Sequence, residues 1–229
     1  YTTLFRSDYA VLPIENSTAG AVNEVYDLLV EFENYIVGEV IIPITHTLAG
    51  LPGTQLSELK RVYSKAEALM QTTRFLEEHS DWQQISVANT AIAAKKILDD
   101  QDRTQAAVCS AYAAKVYGLE VLDDNINDES GNCTRFIIVT NQKVFLKGAK
   151  KISICFEVPH ESGSLYHLLS HFIYNDLNMS KIESRPIEGR SWEYRFFVDF
   201  EGNLEEPGVK NALRGLREES RSLKILGNY

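Results

Sequence analysis

Small polar residues recur at one kind of place in this sequence. Asn16-Ser17-Thr18, Ser64, Asn89-Thr90, Ser110 and Asn132-Cys133-Thr134 each stand where a strand-like run meets a helical pattern, or at the edge of a strand. Any one of them can cap the helix that follows by accepting a bond from its first N–H groups. At the successive junctions of an open α/β sheet, hydroxyls, amides and free helix N–H groups can together hold an anion. One such residue reads as a cap; a series of them points to an anion-binding cleft. Asn16 and Ser17 are good carboxylate donors where a helix is expected to start. Arg135 offers a fork for a carboxylate. Alternatively it points away and pairs with an acid such as Asp128, since neighbours on a strand face opposite sides. Phe136 either shapes an apolar wall or packs in the core. Glu15 reads as a residue that orients its loop. His46 reads as a proton carrier or as a structural hydrogen-bonding group.

Other chemistries find less support. The five histidines include His167 and His171, four apart, but no HExxH pattern surrounds them, and a partly exposed helix face accounts for the spacing. Cys109, Cys133 and Cys155 are an odd, widely spaced set with no CxxC and no Cys/His cluster, which fits a reducing compartment and no disulfide framework. Lys and Arg number 23 against 32 Asp and Glu, a net charge of −9, so nucleic acid and anionic membranes are poor partners. No apolar run approaches the ~18 residues that span a bilayer. The 229 residues, 44% hydrophobic and 24% charged, exclude a disordered or fibrous chain and suit one large or two small domains.

The elements that position these residues fall into two halves, joined by a polar, basic connector from Asn141 to Lys151. In the first half, strands are expected at Asp8–Ile14, Val37–Ile44, Arg61–Ser64, Ile85–Val87, Ala106–Cys109 and Phe136–Thr140. Helices are expected after Gly20 (Val22, Val25, Tyr26, Leu28, Leu29), at Glu67–Glu78, Thr90–Leu98 and Ser110–Tyr117, with a helical turn at Leu56–Lys60. Strands alternating with helices imply a mainly parallel arrangement in two sheets. In the second half, Ile152, Ile154, Phe156 and Val158 alternate with polar residues, and Leu165, Leu168, Leu169, Phe172 and Ile173 form a helical stripe. Strands at Met179–Ile187 and Trp192–Phe200, a helix near Pro207 and a strand at Leu223–Leu226 complete a β-α-β-β-α-β order, the split ferredoxin-like unit with two helices on one face of an antiparallel sheet.

Pro13-Ile14-Glu15-Asn16-Ser17 with Gly20 and Val22, then Glu39, Ile42-Pro43-Ile44 and His46, then Asn132-Cys133-Thr134-Arg135-Phe136 resemble prephenate dehydratase. Glu161-Ser162-Gly163-Ser164-Leu165 and Glu183-Ser184-Arg185-Pro186 resemble the ACT regulatory domain that follows it in that family. The chain reaches its Pro13 run without the Gly-Pro-x-Gly-Thr/Ser segment that precedes it in the family, so the first part of the catalytic domain is expected to lie upstream. Ser64-Lys65-Ala66-Glu67-Ala68-Leu69 stands in place of Ser-His-Pro-Gln-Ala-Leu, and Asn89-Thr90 in place of Ser-Thr.

The resemblance implies an α/β catalytic domain over 1–145, two-lobed like a periplasmic binding protein with the active site between the lobes, and an α+β ferredoxin-like ACT domain over 150–229. It implies a cytoplasmic lyase of phenylalanine biosynthesis that converts prephenate to phenylpyruvate with loss of carbon dioxide and water. No metal or organic cofactor is implied. L-Phenylalanine would inhibit through the ACT half, in a homodimer or homotetramer. Thr134 would hydrogen-bond or relay a proton to the leaving hydroxyl. Asn16, Ser17, Asn132, Arg135 and Phe136 would meet the substrate, and Ser64, Thr90 and Ser110 would cap helices of the second lobe and bind the other carboxylate. Ser162, Gly163, Ser164 and Leu165, with Glu183, Ser184, Arg185 and Pro186, would form the effector site, Gly163 letting a ligand approach a helix N-terminus. Arg185 would alternatively form a salt bridge across a dimer. Two further readings stand beside this one: a non-catalytic amino-acid-sensing module, and the dehydratase part of a bifunctional chorismate mutase/prephenate dehydratase.

Overall fold

The computed structural model describes residues 7–229. In chain order its elements are β1 (Ala10–Asn16), β2 (Gly20–Ala21), α1 (Asn23–Glu31), β3 (Tyr35–Pro43), β4 (Thr47–Gly50), β5 (Arg61–Ser64), α2 (Ala66–Met70), α3 (Thr73–Glu77), β6 (Gln83–Ser86), α4 (Thr90–Asp100), β7 (Gln105–Cys109), α5 (Ala111–Val116) and β8 (Glu120–Asp123). There follow β9 (Cys133–Thr140), β10 (Lys151–Glu157), α6 (Ser164–Ile173), β11 (Met179–Pro186), β12 (Tyr194–Glu201), α7 (Pro207–Glu219) and β13 (Ser222–Asn228). They form two compact units. Of the described residues, one holds Ser7–Asn16, Gly20–Ile42 and Thr134–Tyr229; the other holds Ser17–Ala19 and Pro43–Cys133.

The first unit is built on an eight-stranded sheet in the order β11-β12-β10-β13-β3-β9-β1-β2. Its four strands from β10 onward are antiparallel and ordered β11-β12-β10-β13, the ladder that the β-α-β-β-α-β reading requires. The helical stripe of α6 and the apolar face of α7 close over it. Leu168, Phe172, Val209, Leu213 and Leu216 pack with Ile152, Ile154, Phe156, Val198 and Phe200 in one buried cluster. Burying such side chains contributes ~1.5–3 kcal/mol each. The sheet continues across the connector: β13 pairs with β3 in parallel at Gly227 and Ile36. A second cluster of Ile14, Val25, Tyr26, Leu29, Ile36, Ile137, Phe197 and Leu226 binds α1 and strands β1, β3 and β9 to β12 and β13.

The second unit carries a five-stranded sheet, β6-β5-β7-β4-β8. β5 pairs in parallel with β6 and β7, as alternating strands and helices predict. β4 and β8, both unforeseen in the sequence, add antiparallel at the edge. Their residues, Thr47-Leu48-Ala49-Gly50 among them, are short and mixed in character, too weak a pattern to announce a strand.

Three expectations need correction. The strands of the first half are not mainly parallel: β1 runs antiparallel to β2 and β9, and β4 to β7 and β8, while β5 pairs in parallel with β6 and β7. The strand expected at Asp8–Ile14 starts at Ala10, and only Ile14 of it is buried. The single helix expected at Glu67–Glu78 is two short ones. Thr72 Oγ1 donates back to the carbonyls of Ala68 and Leu69, Thr73 Oγ1 donates to Met70, and the Asp128 carboxylate accepts from the N–H groups of Thr73 and Arg74 at 2.9 and 2.8 Å. Hydroxyls that compete for helix carbonyls, and a carboxylate that satisfies a new set of N–H groups, end one helix and begin another.

Candidate functional site

Strands β1 and β9 run side by side and end together, with Asn16 opposite Thr134 and Glu15 opposite Arg135. Asn16 Nδ2 donates to Thr134 Oγ1 at 3.1 Å. The donated bond occupies a lone pair of the threonine oxygen, so the hydroxyl proton is directed elsewhere, and it polarises the O–H toward an incoming acceptor. Both side chains are half-buried. Asn16 and Thr134 are thus brought together by strand register. Asn16 and Ser17 do not open a helix, however: β2 intervenes, and α1 begins after Val22 without a side-chain cap. Ser17 instead laces its loop, its N–H donating to Cys133 O at 2.9 Å and its Oγ accepting from Cys133 N at 3.0 Å.

Thr134 and Arg135 alternate on β9, and Arg135 faces neither a free surface nor Asp128. Its guanidinium, 13% exposed, meets Asp199 at 2.8 Å and Glu39 and Glu15 at 3.2 Å each. Burial works against that charge, but Asp199 and Glu39 outweigh it and hold the guanidinium above its ordinary pKa. Three carboxylates leave no fork for a substrate, so Arg135 is corrected from substrate ligand to structural cation, and the acid expected at Asp128 is replaced by these three. Glu15 is held by Lys181 as well, at 2.7 Å. Phe136 lies half-buried on β9 opposite Pro13.

The second unit holds a cavity of about 370 Å³ lined by Thr18, Met70, Gln71, Arg74, Asn127 and Asn132, among others. Its polar wall is organised by Gln71. The Gln71 Oε1 accepts from Asn132 Nδ2 at 3.0 Å and pairs with His46 Nε2 at 2.9 Å. Two partners on the oxygen turn the Gln71 amide N–H₂ away from both. His46 is buried, and its backbone N–H donates to Asn127 Oδ1. Gln71 and Arg74 were not singled out in the sequence; nothing in the local pattern marks a helix-terminal glutamine as the centre of a polar wall. Acids at the rim are already engaged: Glu67 with Lys65 at 3.0 Å, Glu129 with Arg74 at 3.6 Å, and Asp128 with the N–H groups that begin α3.

The remaining expected residues of this unit separate. Ser110 caps α5, its Oγ accepting from Ala113 N at 3.1 Å. Asn89 caps α4 through Ile92 N at 2.8 Å, and Thr90 is the first helical residue. Ser64 is corrected: it caps nothing. Its side chain is fully buried and donates to Val108 O at 2.6 Å, tying β5 to β7. A hydroxyl spent inside the sheet does not reach a ligand.

In the first unit, Gly163 stands at the start of α6 with φ +82°, a left-handed conformation that glycine adopts without strain. Ser164 Oγ donates to Glu161 O, Ser162 is exposed, and Leu165 packs against the helix–sheet cluster. A cavity of about 240 Å³ lies over this turn, lined by Val158, Glu161, Gly163, Leu165, Tyr166 and Trp192, among others. Glu183, Ser184, Arg185 and Pro186 lie on β11, the edge strand. Arg185 turns its fork to Asp27 of α1, at 3.1 and 2.6 Å. Among the described residues no cluster of three or more His, Cys, Asp or Glu could hold a metal ion, and no helix is long and apolar enough to cross a membrane.

The profile of the family described as prephenate dehydratase matches residues 4–144. A bifunctional chorismate mutase/prephenate dehydratase of Aquifex aeolicus is 40% identical over 226 residues, 98% of this chain and 61% of that protein. An Arabidopsis thaliana protein named arogenate dehydratase/prephenate dehydratase 6, chloroplastic, is 36% identical over 243 residues, 99% of this chain and 59% of its own length. The chain therefore spans about three-fifths of the curated relatives it matches. Among solved structures, a prephenate dehydratase of Arthrobacter aurescens in complex with L-Phe superposes with a TM-score of 0.88 at 33% identity, covering 97% of this chain and 75% of that one.

Proposed function

This chain belongs to the prephenate dehydratase family, and on that premise we propose that it takes part in the conversion of prephenate to phenylpyruvate. In that reaction the bond from the ring to its carboxylate breaks and its electron pair enters the ring. The ring C–O bond breaks as the ring becomes aromatic, and the departing hydroxide takes up a proton, so that prephenate and one proton give phenylpyruvate, carbon dioxide and water. The chemistry needs a donor at the departing oxygen. The observation that carries the reading is the 3.1 Å bond from Asn16 to Thr134 where β1 and β9 end together. Thr134 Oγ1 accepts from Asn16 and presents its own proton to the leaving hydroxyl. A threonine is a weak acid, so its contribution comes from placement rather than from pKa. Asn132, with the Gln71 amide and Arg74 beside it, supplies donors for a substrate carboxylate, and Thr90 and Ser110 stand at helix starts that can do the same.

The catalytic part is assigned to 1–145 and an ACT regulatory domain to 150–229, with L-phenylalanine as inhibitor in a cytoplasmic homodimer or homotetramer that needs no cofactor. The strand order of β10 to β13 and the Gly163 turn under its cavity support the regulatory assignment. The L-Phe complex of the Arthrobacter aurescens protein points the same way.

The test is phenylpyruvate formation from prephenate, run with arogenate as competing substrate, together with calorimetry of L-phenylalanine binding. Thr134→Ala is expected to lower kcat by ~10²–10⁴-fold while leaving L-phenylalanine binding intact. Unchanged kcat in that variant refutes the role of Thr134. L-Phenylalanine binding by a wild type that turns over neither substrate favours the sensing module.

A further inference from the structure

Behind Thr134 lies a network that the reaction itself does not use. Six charged side chains come from six strands of the eight-stranded sheet: Glu15 of β1, Glu39 of β3, Arg135 of β9, Lys151 of β10, Lys181 of β11 and Asp199 of β12. Three of these are positive and three negative, and a fourth acid, Glu183 of β11, stands 3.9 Å from Lys181. Arg135, Asp199 and Lys181 are each 13% exposed. Hydroxyls complete it: Ser153 Oγ donates to Asp199 Oδ1 at 2.6 Å and lies 2.9 Å from the Tyr229 hydroxyl. Arg135 is the hub, with one partner on β1, one on β3 and one on β12.

We propose that Arg135 is a positioning residue for Thr134, and that the 150–229 half supplies part of the clamp through Asp199. Thr134 and Arg135 are adjacent on β9, and their partners across the ladder, Asn16 and Glu15, are adjacent on β1. A guanidinium held to Glu15 and Glu39 fixes β9 against both of its neighbours at the residue next to the catalytic hydroxyl. Asp199, the shortest of the three pairs, anchors the same guanidinium to β12. An ammonium cannot replace it, because a lysine points one compact charge where arginine presents a fork to several carboxylates. The strength of Asn16–Thr134 contact therefore depends on charges supplied from beyond the connector.

This inference rests on the proposed dehydratase reading. It is tested by steady-state kinetics with prephenate on wild type, Arg135→Lys, Asp199→Asn, Thr134→Ala and the two double variants that add Thr134→Ala. The expectation is a fall in kcat of about tenfold or more for Arg135→Lys and Asp199→Asn, with KM changed less than about twofold. Neither substitution should lower kcat further once Thr134 is alanine, because a residue acting through Thr134 has nothing left to position. Unchanged kcat in the folded single variants, or full additivity with Thr134→Ala, overturns the proposal. Ser153→Ala, which removes one hydrogen bond from Asp199, replaces the clamp variants should circular dichroism show them unfolded. It should give a smaller fall in kcat that again disappears in the Thr134→Ala background, and unchanged kcat overturns the proposal. A wild type without turnover defeats the dehydratase reading and this proposal with it; an active wild type with additive variants defeats this proposal alone.

Discussion

Gly227→Ala should loosen the joint by which β13 meets β3. A Cβ on Gly227 would stand 2.3 Å from Ile36 O and 2.8 Å from Ile36 Cβ. Carbon atoms settle at about 3.5–4.0 Å from their neighbours, and well inside that distance repulsion dominates. The obstacle is backbone, so no side-chain rotation relieves it; the two strands must part. Gly227 and Ile36 are the register pair of this parallel contact, and Ile36 is buried among Ile14, Val25, Leu29, Ile137 and Leu226. Parting the strands therefore strains a packed core as well as a hydrogen-bonded ladder. Overpacking of this kind costs ~1–3 kcal/mol, and at ~2–4 °C per kcal/mol for a chain of this size the melting temperature should fall by about 2–12 °C. Gly38→Ala, on the partner strand β3, is the control, because its Cβ would meet nothing nearer than Ile138 Cδ1 at 3.5 Å. Differential scanning calorimetry on the two variants reads the difference directly. A Gly227→Ala protein that melts with wild type, or no lower than Gly38→Ala, would show that the joint yields freely and that the close approach carries no energetic weight.

Two more outcomes follow from the geometry. Ser64→Ala should cost about 1 kcal/mol of stability through the lost bond to Val108 O while KM for prephenate stays at the wild-type value; a severalfold rise in KM would return Ser64 to the substrate site. Glu15 should tie stability to pH. Burial raises its pKa, but hydrogen bonding and charge attraction from Lys181, and then the charge of Arg135, outweigh it and leave the carboxyl below its ordinary 4.5. A depressed folded pKa contributes stability that is present above the unfolded value and is lost as pH falls through the folded one. Glu15→Gln should therefore flatten the decline in melting temperature below about pH 4.5, and an unchanged acid limb in that variant would show that Glu15 does not contribute to it.

What could be read from the sequence was what repeats over short distances. The period-two run from Ile152 to Val158 and the stripe from Leu165 to Ile173 announced β10 and α6, because each pattern is set by the geometry of a single element. The break at Thr72 was not announced in this way, since it depends on a carboxylate from Asp128, more than fifty residues away. Asn16 and Thr134 were legible as polar residues at element ends, yet their meeting is a consequence of register between strands 118 residues apart. Ser64 shows the opposite failure: a serine at the end of a strand has the same local signature whether it faces a ligand or a neighbouring carbonyl, and only the placement of β7 decides.

Arg135 carries the point furthest. Strand alternation alone established that Thr134 and Arg135 serve different faces, but it left the partner of the arginine open among every acid in the chain. The acids that hold it lie 120, 96 and 64 residues distant, on β1, β3 and β12. Closing loops of those lengths costs entropy that grows only slowly with length, so long separation is no bar to such a contact. What selects these acids is desolvation: a guanidinium buried to this degree must be met by carboxylates wherever the fold can deliver them. The same requirement ties together six of the eight strands of the sheet. Removing the 150–229 half would strip Asp199 from Arg135, Lys181 from Glu15 and Lys151 from Glu39, leaving a buried cation and two carboxylates with fewer partners beside Thr134. The strand that bears the proposed catalytic hydroxyl is therefore electrostatically complete only with the β-α-β-β-α-β half in place.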